Sequence, residues 1–261
     1  MRPVKSELSQ KSLVRSASVR RDTLGLVEPD SLSSVRDDIV SCEKCPRLRK
    51  WCAHAALVKV ARYRDQTYWG RPVPGFGDPK ARLLVVGLAP AANGGNRTGR
   101  VFTGDPSGDF LYPALHRAGF ANRGTSVWRD DGLALSDAYI LAAVRCAPPD
   151  NKPEPKETVR CRPYFAREWR LLQPRAVLAL GKFALDAFLG MLRQEGAIEG
   201  RKAFKFGHGL VHDLPSHPTT GETRRVFISY HPSQRNTFTK TLTVPMLDAV
   251  LTEINSFLKR P

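Results

Sequence analysis

Four apolar runs organise the chain: RLLVVGL at 82–88, AYILAAVRC at 138–146, RAVLALG at 175–181 and RRVFISY at 224–230. Each is short, apolar and β-branched and lacks the alternation of a half-exposed strand, so each predicts a strand buried on both faces. A segment with helical spacing follows every one of them, at 109–120, 157–172, 182–193 and 244–260. In the last, Leu247, Val250, Leu251, Ile254 and Leu258 share one stripe, and Pro245 sits in the first turn, where a missing N–H costs little. Buried strands alternating with amphipathic helices predict an α/β fold: a three-layer α/β/α sandwich around a mostly parallel sheet of about four strands. Residues 37–261 read as a single domain, in which residues 37–80 form an N-terminal extension packed on the rest. Residues 1–36 are rich in Ser and Arg without periodicity and read as a flexible tail.

In such sheets ligands collect beyond the carboxyl ends of the strands. Three unusual segments leave strands there: GLAPAANGGNRTGRVFTGD, CAPPDNK and HPSQRNTFTK. The alternation therefore gathers them along one edge. The first is not a nucleotide-binding loop. GGNRTG continues into Arg100-Val101 rather than Lys-Ser or Lys-Thr, and no G-x-G-x-x-G opens a helix, so no nucleotide cofactor is expected. What remains is a loop of backbone amides at Gly94, Gly95 and Gly99 with Arg97 and Arg100, suited to a nucleic-acid phosphate. Phe102 offers a face on which a base can stack. Asp105 is either a working carboxylate or the cap of the following helix. His231, directly after a strand, is placed to donate a hydrogen bond to charge developing on a leaving group, and Ser233, Gln234 and Arg235 can meet phosphates. His208, His212 and His217 lack that placement.

Charge strengthens the nucleic-acid reading. The net charge is +16, and residues 1–36 hold only seven basic against four acidic side chains, so most of the excess lies in the body. A basic body favours a polyanionic partner. No run approaches the roughly 18 to 20 apolar residues of a membrane span, and no signal-peptide core is present. A cytoplasmic protein with no membrane partner, nucleoid-associated when on DNA and acting as a monomer, is expected. Five cysteines complete the inventory. Cys42 and Cys45 form C-x-x-C, Cys146 and Cys161 form a second pair, and Cys52 stands apart. Without an export signal, disulfides are disfavoured. Two pairs read as a four-thiolate site for zinc or an iron–sulfur cluster, and spacing does not choose between them.

Taken together, GLAPAANGGNRTGRVFTGDPSGDFL, AAVRCAPPDNKP and SYHPSQRNTFT resemble the type-5 uracil-DNA glycosylases, the iron–sulfur members of their superfamily. The resemblance runs from about Ser41 to the C-terminus. It implies a 4Fe–4S cluster on Cys42, Cys45, Cys146 and Cys161. It also implies flipping and hydrolytic excision of uracil from double-stranded DNA, with tolerance of hypoxanthine and ethenocytosine. Asp105, Asn151 and His231 would be catalytic, Phe102 would stack on the base, and Gly87, Ala89 and Ala91 would line its pocket, with no divalent metal in the chemistry. Ala89, Ala91, Ala142 and Ala143 stand where other branches carry polar residues, which suits type 5. Asn93 departs from the family pattern, where His is expected. Two other classes compete. A non-catalytic Cys-metal nucleic-acid-binding module fits the charge and thiolates but not the Asp, Asn and His at one edge. A phosphodiester nuclease needs several carboxylates for divalent metals, and few acids lie near these loops.

Overall fold

The computed structural model describes residues 20–21 and 27–259, and the chain divides into two units, residues 1–31 and 32–261. In the first, β1 (Arg20–Arg21) pairs antiparallel with β2 (Val27–Glu28). The flexibility expected of the other tail positions lies outside the described residues. The expected boundary at residue 36 moves to residue 31. Helix α1 (Leu32–Val40) begins there because Val35 and Ile39, one helical turn apart, bury against Tyr164. A second helix, α2 (Pro46–Val58), follows with its proline in the first turn.

The second unit is built on a six-stranded sheet. Its strands are β3 (Phe76–Gly77), β4 (Leu83–Gly87), β5 (Ala138–Ala142), β6 (Ala176–Leu180), β7 (Val211–Leu214) and β8 (Arg224–Ser229), in the spatial order β3-β5-β4-β6-β8-β7. The four central strands are parallel and are those the apolar runs predict. The two antiparallel edges were not expected from sequence. An edge strand is covered less completely, so β7 carries His212 and Asp213, and two-residue β3 is too short for any periodicity.

A single turn, α3 (Gly95–Thr98), interrupts the loop after β4. Helix α4 (Pro106–Arg117) then covers one face of the sheet together with α8 (Val244–Leu258). The opposite face is covered by α5 (Pro155–Leu172) and α6 (Lys182–Gln194). Alternate strand residues feed the two cores: Leu83 and Val85 pack toward α4 and α8, Leu84 and Val86 toward α5 and α6. Short α7 (Gln234–Phe238) follows β8. Adjacent strands β4 and β6 thus send their helices to opposite faces, which opens a crevice at their carboxyl ends.

Beyond β5, a buried ion pair fixes the backbone. Arg145 and Glu168 are each about 1% exposed and pair directly, and the Tyr139 hydroxyl donates to Glu168 Oε1 at 3.3 Å. Glu168→Ala leaves the guanidinium buried without a counter-charge, and the expected cost is about 3–5 kcal/mol, read as a lower urea midpoint.

Candidate active site

The crevice contains a cavity of about 450 Å³, lined by residues of all three segments that leave the strand ends. From the β4 loop come Gly87, Ala89, Ala91, Phe102 and Asp105; from the segment after β5, Asn151; from the segment after β8, His231, Ser233, Gln234 and Arg235. Leu88, Pro90, Ser107 and Ala142 complete much of the wall, and of these only Ala142 was singled out in the sequence. A cavity wall assembled from residues without distinctive chemistry leaves little trace in a sequence.

Phe102 adopts a left-handed backbone, φ 51°, which is rare for an aromatic residue and marks a position held by its surroundings. Its ring lies over Gly87, where an added Cβ would come within 2.7 Å of the ring carbon Cζ. The ring also approaches His231, with centroids 5.9 Å apart and planes tilted by 34°. The end of β4 thus needs glycine so that an aromatic plate can lie against it.

Asp105 does two things at once. Its Oδ1 accepts from the Gly108 N–H at 3.0 Å, capping α4, while Pro106 opens the helix. Its other oxygen, Oδ2, packs against Gly94, where a Cβ would stand only 2.0 Å away. Burial raises its pKa from 3.8 to about 6, against the pull of the backbone N–H groups of Gly108 and Ser107. His231 moves the other way. Burial alone lowers its pKa from 6.5 to about 4, so the imidazole is neutral at physiological pH and offers one N–H. Asn236 Nδ2 donates to the His231 carbonyl at 2.8 Å, and Ser233 caps α7 through the Asn236 N–H at 3.3 Å, which fixes the chain around the imidazole. Asn151 is exposed at the cavity edge, in a turn where Asp150 and Asn151 both have left-handed backbones, φ 53° and 54°.

The phosphate-binding role expected for the glycine loop does not survive. Gly94 and Gly95 are buried, with Gly94 making room for Asp105 and Gly95 packed on Pro90. Arg97 is 4% exposed and fully engaged: Nε donates to the Asn93 carbonyl, Nη1 to Gln66 Oε1 and Nη2 to the Gly104 carbonyl, at 2.7, 2.7 and 2.8 Å. Arg100 is 3% exposed and forms a bidentate pair with Asp131, at 3.0 and 2.7 Å. Both arginines brace the loop that carries Phe102 and Asp105. Their partners Gln66 and Asp131 lie about 31 positions away, out of reach of a local motif reading. Asn93 accepts from the Tyr68 hydroxyl at 2.9 Å and so belongs to the same bracing.

The cysteines meet behind the cavity. Cys45, Cys52, Cys146 and Cys161 are buried in one group with Leu48, Val144 and Ala147, and Cys42 lies partly buried nearby. Burial, reinforced by the neighbouring thiols of Cys45 and Cys42, pushes Cys161 up to about 11. Among the described residues, no three His, Cys, Asp or Glu side chains converge on a point where a single metal ion could sit.

The model of the uracil DNA glycosylase superfamily matches residues 74–258. The type-5 uracil-DNA glycosylase of Mycobacterium bovis is 50% identical over 214 residues, covering 81% of this chain and 76% of that protein. Those of Mycobacterium leprae and Thermus thermophilus are 48% and 46% identical, covering 84% and 82% of this chain and 93% of each relative. A type-4 uracil-DNA glycosylase of Pyrobaculum aerophilum stands further off, at 29% over 77% of the chain. The chain belongs to the uracil DNA glycosylase superfamily and, within it, to the type-5 uracil-DNA glycosylases.

Proposed function

We propose that this protein flips a uracil nucleotide out of double-stranded DNA and hydrolyses its N-glycosidic bond, releasing the base and leaving an abasic site. The observation that carries this reading is the meeting of Phe102, Asp105, Asn151 and His231 in one cavity large enough for a nucleobase. A base in a duplex is unreachable, and flipping it costs a few kcal/mol, least at a mispair. Phe102 then stacks on the base and Asn151 hydrogen-bonds its polar edge. As the bond to the sugar breaks, its electron pair goes to the base and the sugar becomes cation-like. Neutral His231 donates its N–H to the base anion. Asp105, ionised above about pH 6, steadies the sugar cation or orients the attacking water. Ala89, Ala91 and Ala142 place no polar side chain on their part of the wall, which suits acceptance of hypoxanthine and ethenocytosine as well. Ser233 and Arg235 at the mouth hold the flanking phosphates.

A duplex with one uracil, incubated without magnesium and then treated with alkali, tests the reaction. A glycosylase yields free base and a strand that breaks only after alkali. A nuclease cuts before alkali and needs metal, and a binding module leaves the strand whole. Gly94→Ala probes the site from behind: the new Cβ must displace the Asp105 carboxylate, so excision falls toward the level of an Asp105 variant, at a stability cost of about 1–3 kcal/mol.

Cys42, Cys45, Cys146 and Cys161 would hold a 4Fe–4S cluster. The all-sulfur donor set, drawn from the turn before α2, the segment after β5 and the second turn of α5, fits an iron–sulfur cluster. When bound, the cluster supplies a cross-link between the N-terminal extension and the segment carrying Asn151. Iron removal is expected to lower both the melting temperature and DNA affinity. Active protein holding zinc, with no iron and no visible absorption, overturns the assignment. No helix among the described residues is long and apolar enough to cross a membrane, and the protein would act as a cytoplasmic monomer on DNA.

A further inference from the structure

With Arg97 and Arg100 committed to bracing, the glycine loop offers DNA no free cation, although the chain carries a net charge of +16. The positive charge beside this loop comes from the extension. Beyond the end of α2 the chain turns through residues 59–64, which include Lys59, Arg62 and Arg64. Arg62 and Arg64 are exposed, and among the described residues neither pairs with a carboxylate. Asp65, which follows the turn, pairs with neither. Arg62 is near enough to Asp109, in the first turn of α4, to pull its carboxyl downward against the larger raising effect of burial.

This turn is fastened to the cavity wall. The Tyr63 ring lies under the Arg97 guanidinium, 3.9 Å from its centroid, and the same guanidinium binds Gln66 on one side and the Gly104 carbonyl on the other. Gly104 directly precedes Asp105. Two backbone bonds, Trp69 N to the Arg97 carbonyl and Gly70 N to the Asn96 carbonyl, both 2.9 Å, extend the seam. Within the turn, Lys59 Nζ donates to the Arg64 carbonyl at 3.1 Å. The Arg62 guanidinium lies over the Tyr63 ring, 5.2 Å from its centroid, and Arg64 Nε donates to the Ala61 carbonyl at 3.4 Å, so neither is bound to a carboxylate. The backbone carrying them is ordered before any ligand arrives, which lowers the entropic cost of using them.

We infer that the Lys59–Arg64 turn is a phosphate-binding surface that grips the DNA backbone flanking the flipped nucleotide, with Arg62 and Arg64 as the contact residues. The inference rests on the DNA reading above. A nucleotide held in the cavity carries its own strand past the rim, so flanking phosphates are the anions brought nearest to this turn. Guanidinium groups match phosphate oxygens in geometry as well as charge.

The test is binding of a duplex carrying one uracil nucleotide made resistant to cleavage by 2′-fluorination, measured across a salt series. Arg62→Gln/Arg64→Gln is expected to weaken binding about tenfold at low salt and to flatten the slope of log Kd against log salt by about 1.8, or about 0.9 per lost phosphate contact. Arg62→Lys/Arg64→Lys is expected to retain the slope. Arg193→Gln/Lys259→Gln removes the same charge at the far ends of α6 and α8 and is expected to leave the slope as in the parent protein. A slope unchanged in Arg62→Gln/Arg64→Gln, or flattened equally by the remote pair, overturns the inference. If the parent protein releases no uracil yet the slope still falls in Arg62→Gln/Arg64→Gln alone, the surface stands and the excision reading falls.

Discussion

His231→Ala is expected to lower the single-turnover rate of uracil excision by about 100- to 1,000-fold, the usual effect of removing one well-aimed donor to a developing anion. The magnitude follows from where the imidazole stands. Burial keeps it uncharged down to about pH 4, so in the proposed reaction it would meet the base as a neutral N–H donor. A donor of this kind costs little reorganisation as the negative charge appears. Because its pKa lies well below neutrality, protonation of His231 should leave no mark on the pH–rate profile between pH 5 and 8. Binding of an uncleavable uracil duplex should change little, since the contact strengthens only as the bond breaks. Equal rates for parent and variant would remove His231 from the chemistry.

The second large effect concerns Asp105, whose capping and catalytic roles make opposite predictions. Its pKa is raised in the folded protein, from 3.8 to about 6, so the folded state holds the proton more tightly than the unfolded chain. Stability contributed by this group is therefore greatest below about pH 4 and falls as pH rises toward 6. Above that, an ionised Asp105 costs about 3 kcal/mol relative to an unburied carboxyl. Asp105→Asn removes this cost, and its amide oxygen can still accept from the Gly108 N–H, since Asn caps helices as well as Asp. At neutral pH the variant should thus be more stable, by up to about 3 kcal/mol, while excision falls about 100-fold or more. The parent rate should rise with pH through a midpoint near 6. A capping residue alone would give a flat profile and a variant as active as the parent.

Much of the framework is legible in the order of side chains. β4, β5, β6 and β8 are covered on both faces, so apart from the two arginines and the serine at the ends of β8 their residues are apolar or glycine and announce themselves as strands. Once four parallel strands are established, the three segments at their carboxyl ends must share an edge, and Phe102, Asp105, Asn151 and His231 come with them. Edge strands β3 and β7 escape because partial cover imposes no comparable pattern. Helix α1 escapes for a related reason: LSSVRDDIV has only Val35 and Ile39 to bury, and Tyr164, which they meet, is more than 120 positions away.

The glycine loop shows where local chemistry misleads. Glycines beside arginines suit an anion in any sequence, and nothing within the segment reveals that Gln66, Tyr63 and Asp131 already satisfy those arginines. By itself the sequence determined the parallel core, the edge at which the site forms and the kinds of residue gathered there, because these follow from side-chain periodicity and strand direction. Only the tertiary structure decided which arginines are committed to bracing the loop, and that burial drives Asp105 and His231 in opposite directions. Pairing and desolvation depend on neighbours distant along the chain, which local order does not encode.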